Sequence, residues 1–218
     1  MSGRAMIIVA GGTSSRFGGD KLMTPIAGRP LVLHTVAAVA ALVDMCVLVC
    51  REDQFDALRM THPVVTLVRG GATRTRSELA GLEALPDEAE LIGIHDGARP
   101  LVSPGLITLL FDTAAEMGGA VPVVPPSRPL IRRTDLGPVP GVAVAQTPQV
   151  FRGPALRMAY RAAAASSFEG QDTADVVRAF SDVTIAAVDG EPGNIKVTYP
   201  SDLDVVRAAL DPSHNALR

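Results

Sequence analysis

Apolar runs of strand length alternate with segments of helical period along most of the chain. A buried strand reads as a short continuous apolar run, whereas a helix packed on a sheet repeats its apolar residues every three to four positions. Strands are predicted over residues 5–10, 45–50, 64–68, 91–95, 120–124, 142–146, 183–188 and 195–198. Helices are predicted over residues 29–42, 53–59, 73–85, 104–117 and 154–165, after Asp172, and from a cap at Ser201. This alternation predicts an α/β fold with a mostly parallel sheet and helices on both faces.

The alternation stops between residues 125 and 141. This segment has five prolines among its seventeen residues and cannot form a central strand, so it is predicted to leave the sheet. Leu130, Ile131, Val139 and Val142 have little local sheet to bury against. A projecting hairpin is marginal alone and needs a covering surface, which a symmetric partner most often supplies. A homodimer is therefore predicted, and a surface loop folded onto its own subunit is the alternative.

Composition and charge exclude several classes of protein. The 218 residues carry 20 basic and 23 acidic side chains, a net charge of −3 without a run of five like charges, which argues against a nucleic-acid-coating protein. With no Trp and 4% aromatic residues, a stacking platform for single-stranded nucleic acid is not expected. No apolar stretch is long enough to predict a transmembrane helix or a signal peptide. Cys46 and Cys50 make neither a disulfide framework nor a zinc site, so a cytoplasmic protein is predicted.

A glycine-rich loop, VAGGTSSRFGGDK, follows the first predicted strand. Gly11 and Gly12 let the backbone approach a ligand closely, and successive N–H groups in such a loop form an anion-binding concavity. Arg16 and Lys21 add positive charge, which suits a polyphosphate. Ligands of open α/β sheets bind at the carboxyl ends of the strands, and this loop follows such an end. A flexible surface turn, however, has the same composition.

Four further clusters lie at or near the ends of later strands. RGGATRTRS contains Gly71 and Ser77, HDGARP contains Asp96 and Arg99, QTPQ ends the strand predicted at 142–146, and GNIKVTYPSDL contains Lys196. Strand alternation directs the lysine side chain away from its two apolar neighbours, toward a cleft or solvent. Each cluster also has an interpretation without function: solvated arginines, a local ion pair closing a turn, a plain turn, or a solvated edge-strand lysine.

Taken in order, the loop at residues 10–21, RGGATRTRS, HDGARP, TPQVF and GNIKVTYPSDL resemble the 2-C-methyl-D-erythritol 4-phosphate cytidylyltransferases of the non-mevalonate isoprenoid pathway. The resemblance spans residues 7 to about 206. It implies one Rossmann-like nucleotidyltransferase domain over residues 1–218, in which residues 125–145 form a β-arm that pairs two subunits.

The resemblance also implies a role for each matching residue. Arg16 and Lys21 would bind the triphosphate, and Lys196 would be a second catalytic lysine. Cytosine and ribose would be held by Ala10, Gly11, Gly12, Gly71 and Ser77. The sugar phosphate and Mg²⁺ would lie near Asp96 and Arg99, with Asp96 as a metal ligand and Thr147 reaching the substrate phosphate from the partner subunit. The implied reaction is attack by a sugar-phosphate oxygen on the α-phosphorus of CTP, which expels pyrophosphate.

The chain departs from the family pattern at three places. Asp20 stands where a proline usually precedes the first lysine, and the loop there resembles the molybdenum-cofactor guanylyltransferases. Arg128-Pro129 replaces Asp-Thr at the start of the arm, and Gln171-Asp172-Thr173-Ala174 replaces Thr-Asp-Asp-Ala after it. The alternatives are therefore another acceptor such as ribitol 5-phosphate, a molybdenum-cofactor-type nucleotidyltransferase, and a non-catalytic nucleotide-binding relative.

Overall fold

A computed structural model describes residues 3–12, 17–59 and 65–211. The strands are β1 (Arg4–Val9), β2 (Pro25–Ile26), β3 (Arg29–Pro30), β4 (Met45–Cys50), β5 (Val65–Arg69), β6 (Leu91–Asp96), β7 (Gly118–Val124), β8 (Val144–Ala145), β9 (Gln149–Arg152) and β10 (Thr184–Asp189). The helices are α1 (Leu31–Ala40), α2 (Phe55–Leu58), α3 (Arg74–Glu83), α4 (Pro104–Met117), α5 (Gly153–Ser166), α6 (Thr173–Phe180) and α7 (Asp202–Leu210).

Within the described ranges, one eight-stranded sheet has the order β10-β7-β9-β6-β1-β4-β5, with β8 pairing β7. Strand β1 lies between β4 and β6 and is parallel to both. Strand β9 runs antiparallel to β6 and β7, and β8 is antiparallel to β7. The predicted mostly parallel α/β sheet is confirmed.

Both faces of the sheet are buried. Along β1, Met6 and Ile8 belong to one apolar cluster and Ala5 and Ile7 to the other, as the two-residue period of a strand requires. Helices α1, α4 and α7 supply apolar residues to the first cluster, and α3, α5 and α6 supply them to the second. The centre of the sheet is therefore buried in apolar core on both sides. Polar side chains that could bind a ligand are confined to the ends of the strands.

Helix α3 lies unusually close to β1. A Cβ added to Gly81 would be 2.5 Å from Cγ2 of Ile7, so only glycine allows this approach. The helix begins at Thr73, whose hydroxyl accepts a hydrogen bond from the Arg76 N–H at 3.2 Å. Its first turn is thereby held at the carboxyl edge of the sheet.

Three local predictions were wrong. The strand expected at residues 142–146 is reduced to β8, and β9 was missed because its two central apolar residues are too few to show a strand period. Residues 195–198 form no strand, since the Val197 N–H donates to Ala98 O and the Thr198 N–H to Asp202. Ser201 makes no side-chain capping bond at the start of α7.

The proline-rich excursion is a projecting hairpin-like arm. The Val139 N–H donates to Leu130 O at 3.0 Å, and Ile131 bridges Pro138. Ile131 is 56% exposed and Leu136 is 70% exposed. The arm therefore leaves the sheet, as predicted, with an apolar surface that its own subunit does not cover.

No helix in the described part of the chain has the length and apolar character needed to cross a membrane.

Candidate active site

A cavity of about 320 Å³ opens at the carboxyl edge of the sheet. It lies beyond the ends of the neighbouring strands β1 and β6, where ligands of open α/β sheets bind. Seven of the residues singled out in the sequence line it: Gly11, Gly12, Lys21, Gly71, Ser77, Asp96 and Lys196. Segments far apart in the chain are therefore brought to one site.

Other predicted residues lie beside or beyond this cavity. Ala10 is buried at the end of β1, where its N–H donates to Val49 O at 2.7 Å. Arg99 and Thr147 are buried behind Asp96 rather than on the cavity wall. Arg16 lies outside the described residues, so its proposed contact with the triphosphate stays a prediction.

Ser77 shapes the glycine turn that forms one wall. Its hydroxyl accepts a hydrogen bond from the Gly71 N–H at 3.1 Å and lies 2.8 Å from Thr73 O, to which it donates. A Cβ on Gly71 would be 2.5 Å from the Cβ of Arg76, so a side chain there would push the turn open. The wall is a tight backbone turn, which suits the flat edge of a base or ribose.

Lys21 and Lys196 both line the cavity. Lys21 lies in a short 3₁₀ turn (Lys21–Met23), and its Nζ donates to Val197 O at 2.8 Å. Lys196 immediately precedes Val197 in the chain, and its side chain is 36% exposed. Two lysines that are 175 positions apart in the chain thus line one cavity.

Residues 194–198 form a strap that positions Lys196. Arg99 Nη1 donates to Asn194 O at 2.8 Å, and the Val197 N–H donates to Ala98 O at 2.9 Å. The Asn194 side-chain amide donates to Thr147 O at 2.9 Å. Asn194 and Val197 are fully buried, so the lysine extends from an anchored segment. The predicted direction of its side chain is confirmed, although the segment is irregular.

Asp96 holds three cationic side chains. Its Oδ1 is 2.7 Å from Arg74 Nη1, and its Oδ2 is 2.9 Å from Lys196 Nζ and 3.3 Å from Arg99 Nε. Burial alone would raise the pKa of Asp96, but Arg74, Lys196 and Arg99 outweigh it and hold that pKa far below its ordinary value. Asp96 is therefore an ionised hub, and the local pair with Arg99 is only one part of it.

The predicted role of Asp96 as a metal ligand does not fit this arrangement. Both carboxylate oxygens contact cationic side chains, so a metal ion would have to compete with these groups for Asp96. No group of three or more His, Cys, Asp or Glu side chains able to hold a metal occurs among the described residues. Mg²⁺ is commonly bound by one or two carboxylates together with substrate phosphates, so this protein would supply few of the ligands of the ion.

Thr147 lies against Asp96 of its own chain. Its hydroxyl accepts from the Asp96 N–H at 3.0 Å and is 3.0 Å from His95 Nδ1. His95 Nε2 lies 3.1 Å from Arg99 O, a pure acceptor, so Nε2 carries the proton and Nδ1 accepts from Thr147. Burial lowers the pKa of His95 to about 4, which keeps the ring neutral. This hydroxyl supports the Asp96 backbone of its own chain, and its predicted contact with a substrate phosphate of the partner subunit stays a prediction.

Sequence reasoning left Arg74 among the solvated arginines, where Arg69 and Arg76 are indeed exposed. Arg74 instead lines the cavity and contacts Asp96. Glu78, one helical turn on, pairs with it at 2.8 Å. The i, i+4 spacing of these two residues in α3 was the available signal.

The comparisons with known proteins agree with this geometry. A family model described as IspD, 2-C-methyl-D-erythritol 4-phosphate cytidylyltransferase, matches residues 4–211. A relative of that name from Cereibacter sphaeroides (strain KD131 / KCTC 12085) is 42% identical over 212 residues, which cover 91% of this chain and 92% of the relative.

Solved structures share the whole fold. The 2-C-methyl-D-erythritol 4-phosphate cytidylyltransferase of Thermus thermophilus has 31% identity and a TM-score of 0.80, covering 94% of this chain and 97% of its own. The 4-diphosphocytidyl-2C-methyl-D-erythritol synthase of Anaerococcus prevotii has 28% identity and a TM-score of 0.82, covering 95% and 97%. Since the match extends over nearly the whole chain, this protein belongs to the IspD family of nucleotidyltransferases.

Proposed function

We propose that this protein transfers CMP from CTP to 2-C-methyl-D-erythritol 4-phosphate and releases pyrophosphate. The observation that carries the proposal is the convergence of Lys21 and Lys196 on a cavity whose other walls are Gly11-Gly12 and the turn at Gly71. The curated relatives and solved structures named for this activity support it.

In the proposed reaction, an anionic oxygen of the acceptor phosphate attacks the α-phosphorus of CTP. The bond from that phosphorus to the bridging oxygen breaks, and pyrophosphate leaves with the electron pair. Because the attacking oxygen is already ionised, no side chain has to remove a proton. The protein's task is to align the two phosphates and stabilise the negative charge that develops between them.

The lysines have complementary positions for this task. Lys21 follows the glycine-rich loop, so it is assigned to the triphosphate, together with the predicted Arg16. Lys196 is fixed by Asp96 and the strap, so it is assigned to the reacting α-phosphate and the acceptor. A divalent cation would arrive with the triphosphate as part of the substrate, because the cationic side chains around Asp96 already neutralise its charge.

We also propose that the arm pairs two subunits. Leu130, Ile131, Leu136, Val142 and Val144 are all exposed at the arm or its base. A second copy would cover them and bring Arg128-Pro129 toward the partner's acceptor site, where this pair could tune acceptor choice. Both cysteines are buried free thiols, which suits the cytoplasmic location that we propose.

Pyrophosphate release tests the proposed function directly. Purified protein is assayed with CTP or GTP, each combined with 2-C-methyl-D-erythritol 4-phosphate or ribitol 5-phosphate, with Lys196→Ala as the control. Turnover is expected with CTP and the erythritol phosphate. Preferred use of ribitol 5-phosphate would establish the polyol alternative, comparable turnover with GTP would favour a guanylyltransferase, and CTP binding without turnover would indicate a non-catalytic relative.

A further inference from the structure

Glu78 is a buried carboxylate that the proposed reaction does not use directly. It lies in α3 with 1% of its surface exposed. Its Oε1 accepts from Arg74 Nε at 2.8 Å, and its Oε2 accepts from the Tyr160 hydroxyl at 2.5 Å. A buried carboxylate is costly unless it is paired and hydrogen-bonded, so these contacts indicate a specific role.

Arg74 connects Glu78 to the active site. The guanidinium binds Glu78 through Nε and Asp96 through Nη1, so it is held at both ends. Asp96 in turn contacts Lys196 Nζ at 2.9 Å. A continuous chain of charged and hydrogen-bonded contacts therefore runs from Tyr160 in the core of α5 to the lysine of the cavity.

Thr173 lies next to this carboxylate. It is fully buried at the start of α6, and its Oγ1 is 3.5 Å from Glu78 Oε1. Positions 78 and 173 therefore share one buried pocket. Carboxylates at both positions would place two like charges in one buried pocket.

We propose that Glu78 is a positioning residue, a buried carboxylate of α3 that orients Arg74 toward Asp96. A threonine at 173 suits this role, since its hydroxyl can donate to Glu78 where an aspartate would repel it. Arg74 so oriented fixes Asp96 and, through it, Lys196. The activity readout of this inference rests on the proposed function.

The test is a charge-exchange cycle. Glu78→Gln removes the charge with little change of shape. Its kcat is expected to fall about tenfold or more, with a smaller change in KM for CTP. The reason is that misplacing a catalytic group by about 1 Å lowers the rate by up to about a hundredfold. Thr173→Asp alone is expected to lower the melting temperature, because it adds a second buried carboxylate. The double variant is expected to recover most of kcat. Glu83→Gln, exposed on the same helix, is the matched control and is expected to match the parent protein.

A second readout does not depend on turnover. The Arg74 side-chain N–H signal in NMR is expected to be protected from exchange in the parent protein, lost in Glu78→Gln and regained in the double variant. If the parent protein turns over no acceptor, the proposed function fails and this spectrum still tests the inference. Folded Glu78→Gln with parental kcat and a protected Arg74 signal, or a double variant no better than the single one, would overturn it.

Discussion

Among the individual residues, the two lysines have the clearest expected effect. Lys21→Ala or Lys196→Ala is expected to lower kcat by at least about a hundredfold, the loss typical of one preorganised donor to a transition state. The fold should survive, because Asp96 retains Arg74 and Arg99 when Lys196 is removed. Steady-state pyrophosphate release measures the effect, with exposed Arg76→Ala as the control. Near-parental turnover of Lys196→Ala would leave Lys196 as a solvated side chain.

His95 predicts how stability depends on pH. Its pKa is about 4 in the folded protein against 6.5 when unfolded, so the unfolded chain binds more protons between those values. Stability is therefore expected to fall as the pH drops from 6.5 to 4, by about 3 kcal/mol from this group alone. The depressed pKa of Asp96 adds a loss only below its ordinary value of 3.8.

Urea unfolding at several pH values measures this slope. The raised pKa of Glu78 acts in the opposite direction, so the contribution of His95 is the difference between the parent protein and His95→Gln. An unchanged slope in that variant would show that His95 is not the group responsible.

The sequence indicated most of the site at the level of residues, but not its internal contacts. Lys21, Asp96 and Lys196 stand in motifs; the parallel sheet brings the first two to one edge, and the contacts of residues 194–198 with Ala98 and Arg99 bring Lys196 there. The contact between Glu78 and Tyr160 gave no such signal, since these residues are 82 positions apart and meet only through the packing of α3 against α5. The position of Thr147 depends equally on tertiary contacts, with His95 and Asp96.

Among the elements, the turn that carries Lys21 is anchored to the loop after β4. Asp20 Oδ2 accepts from Arg51 Nη2 at 2.9 Å and from Gln54 Nε2 at 2.7 Å. Asp20 stands where the family pattern has proline, and its φ of −80° is within reach of a proline ring. The side-chain anchor thus holds the turn that carries Lys21.

Asp20→Ala is therefore expected to raise the Kd for CTP several-fold, because the freed turn must be ordered when the nucleotide binds. Asp20→Pro is expected to restore much of the affinity by fixing φ instead. Calorimetric titration with CTP measures both variants, and Asp53→Ala, an exposed neighbour of Arg51, is the control. Equal affinities for the alanine variant and the parent protein would contradict this role of Asp20.

The regular elements were predictable because each is long enough to show its period and because both faces of the sheet are apolar. The missed elements are short or irregular. Strand β9 has only Val150 and Phe151 as fully buried apolar residues, and these face opposite sides of the sheet. The strap at residues 194–198 carries apolar alternation but finds its hydrogen bonds in side chains and loops, which no local pattern reveals.

For the molecule as a whole, the arm predicts the oligomeric state. Ile131→Asp together with Leu136→Asp is expected to convert a dimer into monomers, because charges would enter a surface that pairing buries. Sedimentation velocity measures the change. Leu109→Asp is the matched control, since Leu109 on α4 is 49% exposed but far from the arm in sequence. A parent protein that sediments as a monomer with full activity would refute the proposed pairing.

Mixed subunits test which residues complete a site. Thr147 and Lys196 both contact Asp96 of the same chain, so inactive Thr147→Ala and Lys196→Ala subunits are expected to regain no activity when mixed. Regained activity in the mixture would instead place Thr147 in the partner's site, as the sequence resemblance implied.

The placing of Lys21 and Lys196 on the same cavity has a practical consequence. These are the only two lysines of the 218 residues, since the other residues counted among the 20 basic side chains are arginines. An isotope label on lysine nitrogen would therefore give two side-chain resonances, both from the cavity. For the same reason, coupling this protein to a surface through its lysine amines would modify the active site. Coupling through its buried thiols or its terminal carboxylate would require a different attachment chemistry.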